Sequence, residues 1–205
     1  MGGAAVTDKK PASKTYQPGA GESRFFPHLA GSLILASAGL MTYLGLWESS
    51  GRPILTVYPD KLARNLPTVC KGLTHHVTTT PIIVGQVWTE AKCEAEERRA
   101  TIKVQERLAM CFKFHPGQVI FDMATSHAWN NGAGATCGSA AMRAWNVKDW
   151  RLGCRRMAFA DSGRHVWSYV KTGRKLANGK PEYTFIQGLA NRRADEYRIC
   201  LQGAP

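Results

Sequence analysis

A chain of 205 residues is long enough for one domain with a substantial core and an appended segment, but not for two enzyme-sized domains. Its 27 Lys and Arg against 15 Asp and Glu leave a net charge of +12, which favours a polyanionic partner such as nucleic acid, acidic lipid or cell-wall polymer. The six cysteines (Cys70, Cys93, Cys111, Cys137, Cys154, Cys200) include no CxxC pair, which argues against a zinc ribbon or a thioredoxin-like site. They are left open as buried thiols or as disulfides in any of fifteen full pairings, bridging being conditional on export to an oxidising compartment.

Residues 1–28 are rich in Gly, Pro, Ser and Lys and lack apolar periodicity, so we expect a disordered basic tail. Residues 29–47, "LAGSLILASAGLMTYLGLW", carry no charge and approach the minimum of about 17 residues for a membrane helix. Gly31, Gly39, Gly45, Ser32, Ser37 and Thr42 dilute its leucines, so the run reads as a weak span able to leave a bilayer. A buried core helix and a cleaved signal peptide, with Ala36-Ser37-Ala38 as the small-residue site, are the alternatives. Basic residues flank both ends, and the orientation we favour keeps the tail cytoplasmic.

After Trp47 a Gly/Pro-broken region runs to about Pro81 and holds β-prone pieces such as "ILTVY", which predict a small hairpin or a three-stranded sheet. Helical patterns follow. "WTEAKCEAEERRATIKVQERLAM" offers Thr89 as N-cap, with acids ahead of bases as the helix dipole prefers. "PGQVIFDMATSHAWNNG" repeats its apolar residues with helical spacing and stops at Gly132, which predicts a core helix. In "GLANRRADEYRICL" the residues Ala190, Ala194, Tyr197 and Leu201 share one face, while Arg192, Arg193, Asp195 and Glu196 fall mostly elsewhere and read as solvated. A small sheet first and helices afterwards make the class α+β.

Glycosidic cleavage needs a protonated carboxylic acid for the leaving oxygen and a second carboxylate to activate water or attack carbon. Glu48, directly behind Trp47 and the apolar run, suits the acid, because a desolvated setting raises its pKa. Asp60, in the polar turn "YPDK", suits the ionised partner, and the Thr68 hydroxyl can hold the attacking water. Taken alone this pattern is unspecific, because most acid pairs some ten residues apart are simply solvated.

The order Glu48, "YPD", "PTVCKGLT" resembles the phage-type lysozymes of glycoside hydrolase family 24, the endolysins of tailed phages. "FDMATSHAWNNGAGATCGS", residues 121–139, and "GLANRRADEYRICL", residues 188–201, are similar to two later blocks of that family, so the matching blocks are scattered across most of residues 48–205, the expected catalytic domain. Glu48 is followed by "SSG" where the family usually has Gly, and the interval to Asp60 is longer than usual. Lys71 and Leu73 stand where the family commonly has Tyr and His.

The resemblance implies a lysozyme-like fold with a small N-terminal β lobe and a mainly helical C-terminal lobe. It implies hydrolysis of the β-1,4 bond between N-acetylmuramic acid and N-acetylglucosamine, with Glu48 as acid, Asp60 as base and Thr68 as water holder, without metal or cofactor. Inversion at the anomeric carbon is the outcome we favour. Asn130, where the family places a polar amide, is the substrate-binding candidate, against a purely helix-ending role. Some members carry a Gly/Ala-rich signal-anchor-release segment just ahead of the Glu, which assigns residues 29–47 to the host inner membrane on the periplasmic side before release to the periplasm. The partners expected are peptidoglycan glycan strands, with no nucleic acid, and the enzyme is expected to be a monomer.

Other residues read more plainly. His75 and His76 alternate faces in an extended chain and suggest a solvated turn rather than a metal site. His127 suggests a structural hydrogen bond, and Trp129, Trp145, Trp150 and Trp167 can stack sugars but more often fill cores. The rival functions are a lytic transglycosylase using the same Glu48, and a non-catalytic cationic protein that binds walls or disrupts membranes.

Overall fold

The computed structural model describes residues 15–49, 53–61 and 65–205. It contains three separate two-stranded antiparallel pairs and a helical body. Strands β1 (Glu22–Phe26) and β2 (Gly31–Leu35) form the first hairpin. Helix α1 (Ala38–Ser49) leads to the second hairpin, β3 (Ile54–Asp60) with β4 (Leu66–Cys70). The isolated bridge between Thr56 and Val87 adds a third extended segment beside β3, so both sheet expectations for this region are partly met.

Helix α2 (Glu90–Ala109) starts where its cap predicts, with the Thr89 hydroxyl accepting from the Lys92 N–H at 3.1 Å. Helix α3 (Gln118–Asn131) stops at Gly132, whose φ of 88° suits a residue without a Cβ. Short helices α4 (Ala133–Cys137), α5 (Ala140–Trp145) and α6 (Trp150–Arg156) wrap around it, followed by the hairpin β5 (Tyr169–Lys175) and β6 (Pro181–Phe185) and by helix α7 (Gln187–Cys200).

The main core surrounds α3, where Ile120, Phe121, Met123 and Ala124 are fully buried against Leu108, Phe112, Trp145 and Met157. Trp145 is thus a core residue. A Cβ on Gly153 would lie 2.2 Å from its ring, so close packing of α6 on α5 requires glycine there. A second cluster of Val57, Val69, Leu73, Trp88 and Ala100 lies under the β3–β4 hairpin. All six cysteines are bridged, Cys70–Cys93, Cys111–Cys137 and Cys154–Cys200.

Two N-terminal expectations change. Within the tail assigned to residues 1–28, residues 22–26 form β1, and Phe26 joins the main core; residues 1–14 lie outside the described residues. The run 29–47 is divided between a 3-10 turn at Pro27–Leu29, strand β2 and helix α1, with Ala36 left-handed at φ 43° between them. The body supplies the hydrogen bonds that a continuous helix would have made within itself. Gln118 pairs with both the N–H and the C=O of Ile34 at 2.7 and 2.9 Å, and Gln105 and Arg98 take the N–H and C=O of Ala36. Asp122, fully buried on α3, accepts from Ser37, Tyr16 and Gln118. Burial pushes its pKa up to about 6 against those three hydrogen bonds. Among the described residues no helix is long and apolar enough to cross a membrane.

Helix α7 is also rolled relative to the expected face. Ala190 is buried as expected, but so are Arg192, Arg193, Asp195 and Glu196, against the solvated face that the sequence predicts for them, while Ala194, Tyr197 and Leu201 are only partly covered. The reason is a set of buried ion pairs, because charged groups enter a core only when partnered.

Candidate active site

Glu48 sits in the last turn of α1, where the helix reaches α7. Its Oε1 accepts from Arg192 Nη1 at 2.5 Å, and its side chain is about one-fifth exposed, at 21%. Beside the apolar Met41, Leu44 and Trp129 that line the same cavity, Glu48 therefore has an ion pair with a guanidinium 144 positions away in sequence. Arg192 is itself held by Glu196 at 3.3 Å and by the carbonyl and hydroxyl of Ser126, whose hydroxyl donates to Glu196 at 2.6 Å. Burial opposes the charge on Arg192, but the Glu196 and Glu48 carboxylates outweigh it and leave its pKa above the ordinary arginine value. Arg192 thus stays cationic and fixes the Glu48 carboxylate from behind.

The other side of Glu48 meets the end of the β3–β4 hairpin. After β4 the chain turns sharply through Cys70 (φ 60°) and Gly72 (φ 88°) and bonds back on itself between Val69 and Leu73. A Cβ placed on Gly72 would have Glu48 Oε2 as its nearest neighbour, at 3.8 Å. Two links hold this turn to α2: the Cys70–Cys93 disulfide, and Glu97, which accepts from the Lys71 N–H at 2.9 Å and lies 3.6 Å from its ammonium. Burial pushes the Glu97 pKa above the usual carboxylate range despite Lys71. Glu48, Lys71, Glu97, Thr101 and Trp129 line one small cavity at this junction.

Asp60 and Thr68 lie on that same hairpin. Thr68 is directly opposite Tyr58, and Asp60 is two residues beyond Tyr58, so period-two alternation puts Asp60 and Thr68 on one face. The nearness of Asp60 contributes, after burial, to raising the Tyr58 pKa. Thr68 is almost fully buried and its hydroxyl donates to the Leu66 carbonyl at 3.0 Å, so its oxygen lone pairs remain to accept a hydrogen bond. The structure thus joins Asp60 and Thr68 on one hairpin and sets Glu48 against the turn that ends it.

Asn130 is exposed in the last turn of α3, next to Trp129. His127 is fully buried, and the Thr136 hydroxyl already donates to the Gly132 carbonyl, so His127 Nδ1–H donates to Thr136 at 2.9 Å. Burial, with Arg193 and Arg192 nearby, lowers its pKa well below the ordinary histidine value, so it is neutral and structural. Trp167 stands edge-on to His127, with ring centroids 4.9 Å apart. His75 and His76 are exposed, and among the described residues no group of three His, Cys, Asp or Glu is placed to hold a metal.

Residues 53–196 match the family model described as phage lysozyme. The chain belongs to the phage lysozyme family. It is a lysozyme-type glycoside hydrolase whose substrate is peptidoglycan, met in the periplasm. Solved structures share the fold at low identity. The muramidase domain of SpmX from Asticaccaulis excentricus superposes with a TM-score of 0.61 at 19% identity, covering 80% of this chain and 96% of that one. A point mutant of the lysozyme of phage P22 gives 0.60 at 20%, covering 82% and 99%. An endolysin from the Escherichia coli O157:H7 phage FAHEc1 gives 0.61 at 22%, covering 79% and 89%. No curated protein matches the chain.

Sequence reasoning missed Arg192, although "GLANRRADEYRICL" contributed to the family resemblance. The signal was an arginine four positions before a glutamate, which on a solvated helix is an ordinary surface pair.

Proposed function

We propose that this lysozyme hydrolyses the β-1,4 bond between N-acetylmuramic acid and N-acetylglucosamine, with Glu48 protonating the leaving oxygen, and thereby lyses the host cell. Asp60 acts as base and Thr68 holds the water. The observation that carries this reading is the convergence of Glu48 on the turn ending the hairpin that bears the other two. A water that gives one hydrogen to Thr68 and the other to Asp60 has a lone pair left for the sugar carbon, and transfer of its proton to Asp60 accompanies attack. Arg192 limits the orientations of the Glu48 carboxylate, which helps position the acid. Asn130 contacts the glycan strand from the end of α3, and the enzyme acts as a monomer.

Analysis of the digestion products of purified peptidoglycan tests the chemistry. Hydrolysis with inversion gives a reducing muramic acid end released first as the α anomer. A first-formed β anomer overturns inversion, and a 1,6-anhydro end overturns hydrolysis in favour of transglycosylation.

We further propose that residues 29–47 first tether the chain at the inner membrane, on the periplasmic side. The uncharged composition of the run supports this. In the tethered state β2 and α1 are rebuilt as one helix, so Glu48 is out of place until release. Fractionation of expressing cells over time should show membrane-bound chain moving to the periplasm at unchanged mass. A chain found in the periplasm from the outset, or shortened at its N-terminus, contradicts tethering with release.

A further inference from the structure

The β5–β6 hairpin takes no part in the site described, and its register places Tyr169 opposite Phe185 and Lys171 opposite Tyr183. Paired residues and their neighbours two positions away share a face, so Tyr169, Lys171, Tyr183 and Phe185 stand together. The Tyr169 and Phe185 rings are 5.4 Å apart, and Arg164 lies over Tyr169 at 5.9 Å. Tyr183 is 53% exposed and Phe185 39%. Arg164, Tyr169, Leu176, Pro181 and Tyr183 border one surface groove with Glu182.

The charge here is one-sided. Glu182 is occupied by Arg174 and Thr172. Arg164, Lys171, Lys175 and Lys180 have no carboxylate partner among the described residues. The hairpin is rooted near the cleft: its base closes with the Ile186 N–H on the Ser168 carbonyl, α7 begins at the next residue and reaches Arg192, and Trp167 abuts His127 two positions before Trp129.

We propose that the β5–β6 hairpin is an accessory peptidoglycan-binding surface next to the cleft. Its aromatic face stacks on a sugar of the glycan strand, and Arg164, Lys171, Lys175 and Lys180 pair with the carboxylates of the peptide stems. Charge complementarity selects this occupant: the family's substrate is a polymer of sugar rings bearing anionic peptides, and the hairpin offers aromatic faces ringed by unpaired cations. The proposal rests on the peptidoglycan assignment but not on the roles of Glu48, Asp60 and Thr68.

The test compares the wild type, the triple variant Lys171→Ser/Lys175→Ser/Lys180→Ser and the single variant Tyr183→Ala on purified sacculi and on short soluble glycan oligomers without peptide stems. Exposed charge pairs are individually weak, so three together should cost about tenfold in sacculus affinity at low salt, fading as ionic strength rises. Turnover of the soluble oligomers by the triple variant should stay within about twofold of wild type, and sacculi stripped of their stems should bind both proteins alike. Tyr183→Ala should weaken binding to intact and stripped sacculi equally. Unchanged sacculus affinity in both variants overturns the proposal, as does an equal loss of kcat on both substrates. A Glu48→Gln protein that still binds sacculi but does not cut them reports on the catalytic assignment separately.

Discussion

The hairpins β3–β4 and β5–β6 are similar in length and opposite in how they are held. The first buries Val57 and Val69, is tied to α2 by Cys70–Cys93 and by Glu97, and ends against Glu48. The second exposes Val170, Tyr183 and Phe185 and has no bridge of its own. A reacting water tolerates little displacement, so residues that hold it belong on an element with few alternative positions. A surface that grips an irregular polymer has no such need.

That contrast can be broken at several points. The largest effect is expected where the pinned hairpin meets the body. Arg192→Ala removes the cation shared by Glu48 and Glu196 and leaves Glu196 with Arg193 alone, so denaturant unfolding should show a loss of about 3 kcal/mol, and kcat should fall about a hundredfold in protein that remains folded. Replacing Cys70 and Cys93 by serine frees a loop with a sequence separation of 23 and should cost about 3 kcal/mol in the same assay, lowering kcat more than it raises KM.

The β1–β2 hairpin sharpens the comparison, because the chain just after it is held by a buried carboxylate. The Asp122 pKa is about 6 in the folded chain and about 3.9 when unfolded, so between these values the folded state alone keeps the proton. Stability from this group is therefore highest at and below about pH 4, falls by up to about 3 kcal/mol as pH rises to 6, and is level above that. Urea unfolding at pH 4 and pH 7 should show a smaller difference for Asp122→Asn than for the wild type. At the other extreme, Val170→Thr on β5 should change stability by no more than about 0.5 kcal/mol, since its side chain is already solvated.

Helices α2 and α3 were legible from caps and periodicity, since those signals are local. The strand character of residues 31–35 was not, because a short apolar run suits a helix or a strand equally and Gln118, Gln105 and Arg98 lie far away in sequence. The buried charges of α7 were hidden for a related reason. Periodicity reports polarity, whereas burial of Arg192 depends on Glu48 arriving from the other end of the chain. Composition allowed disulfides without choosing among pairings, which only the fold brings within bridging distance. Of the proposed site, the sequence names Glu48, Asp60 and Thr68 as candidates, which the fold brings to one hairpin and the turn that ends it, but it gives no sign of the ion pair with Arg192 that holds the acid.

The account depends most on Glu48 as the proton donor, so the most direct measurement is the hydrolysis rate of purified sacculi by Glu48→Gln, with its thermal unfolding recorded alongside. The glutamine is nearly isosteric and can still face Arg192, so unfolding should stay cooperative while hydrolysis falls by about a thousandfold or more. A cooperatively folded Glu48→Gln protein that digests sacculi at close to the wild-type rate would contradict the account.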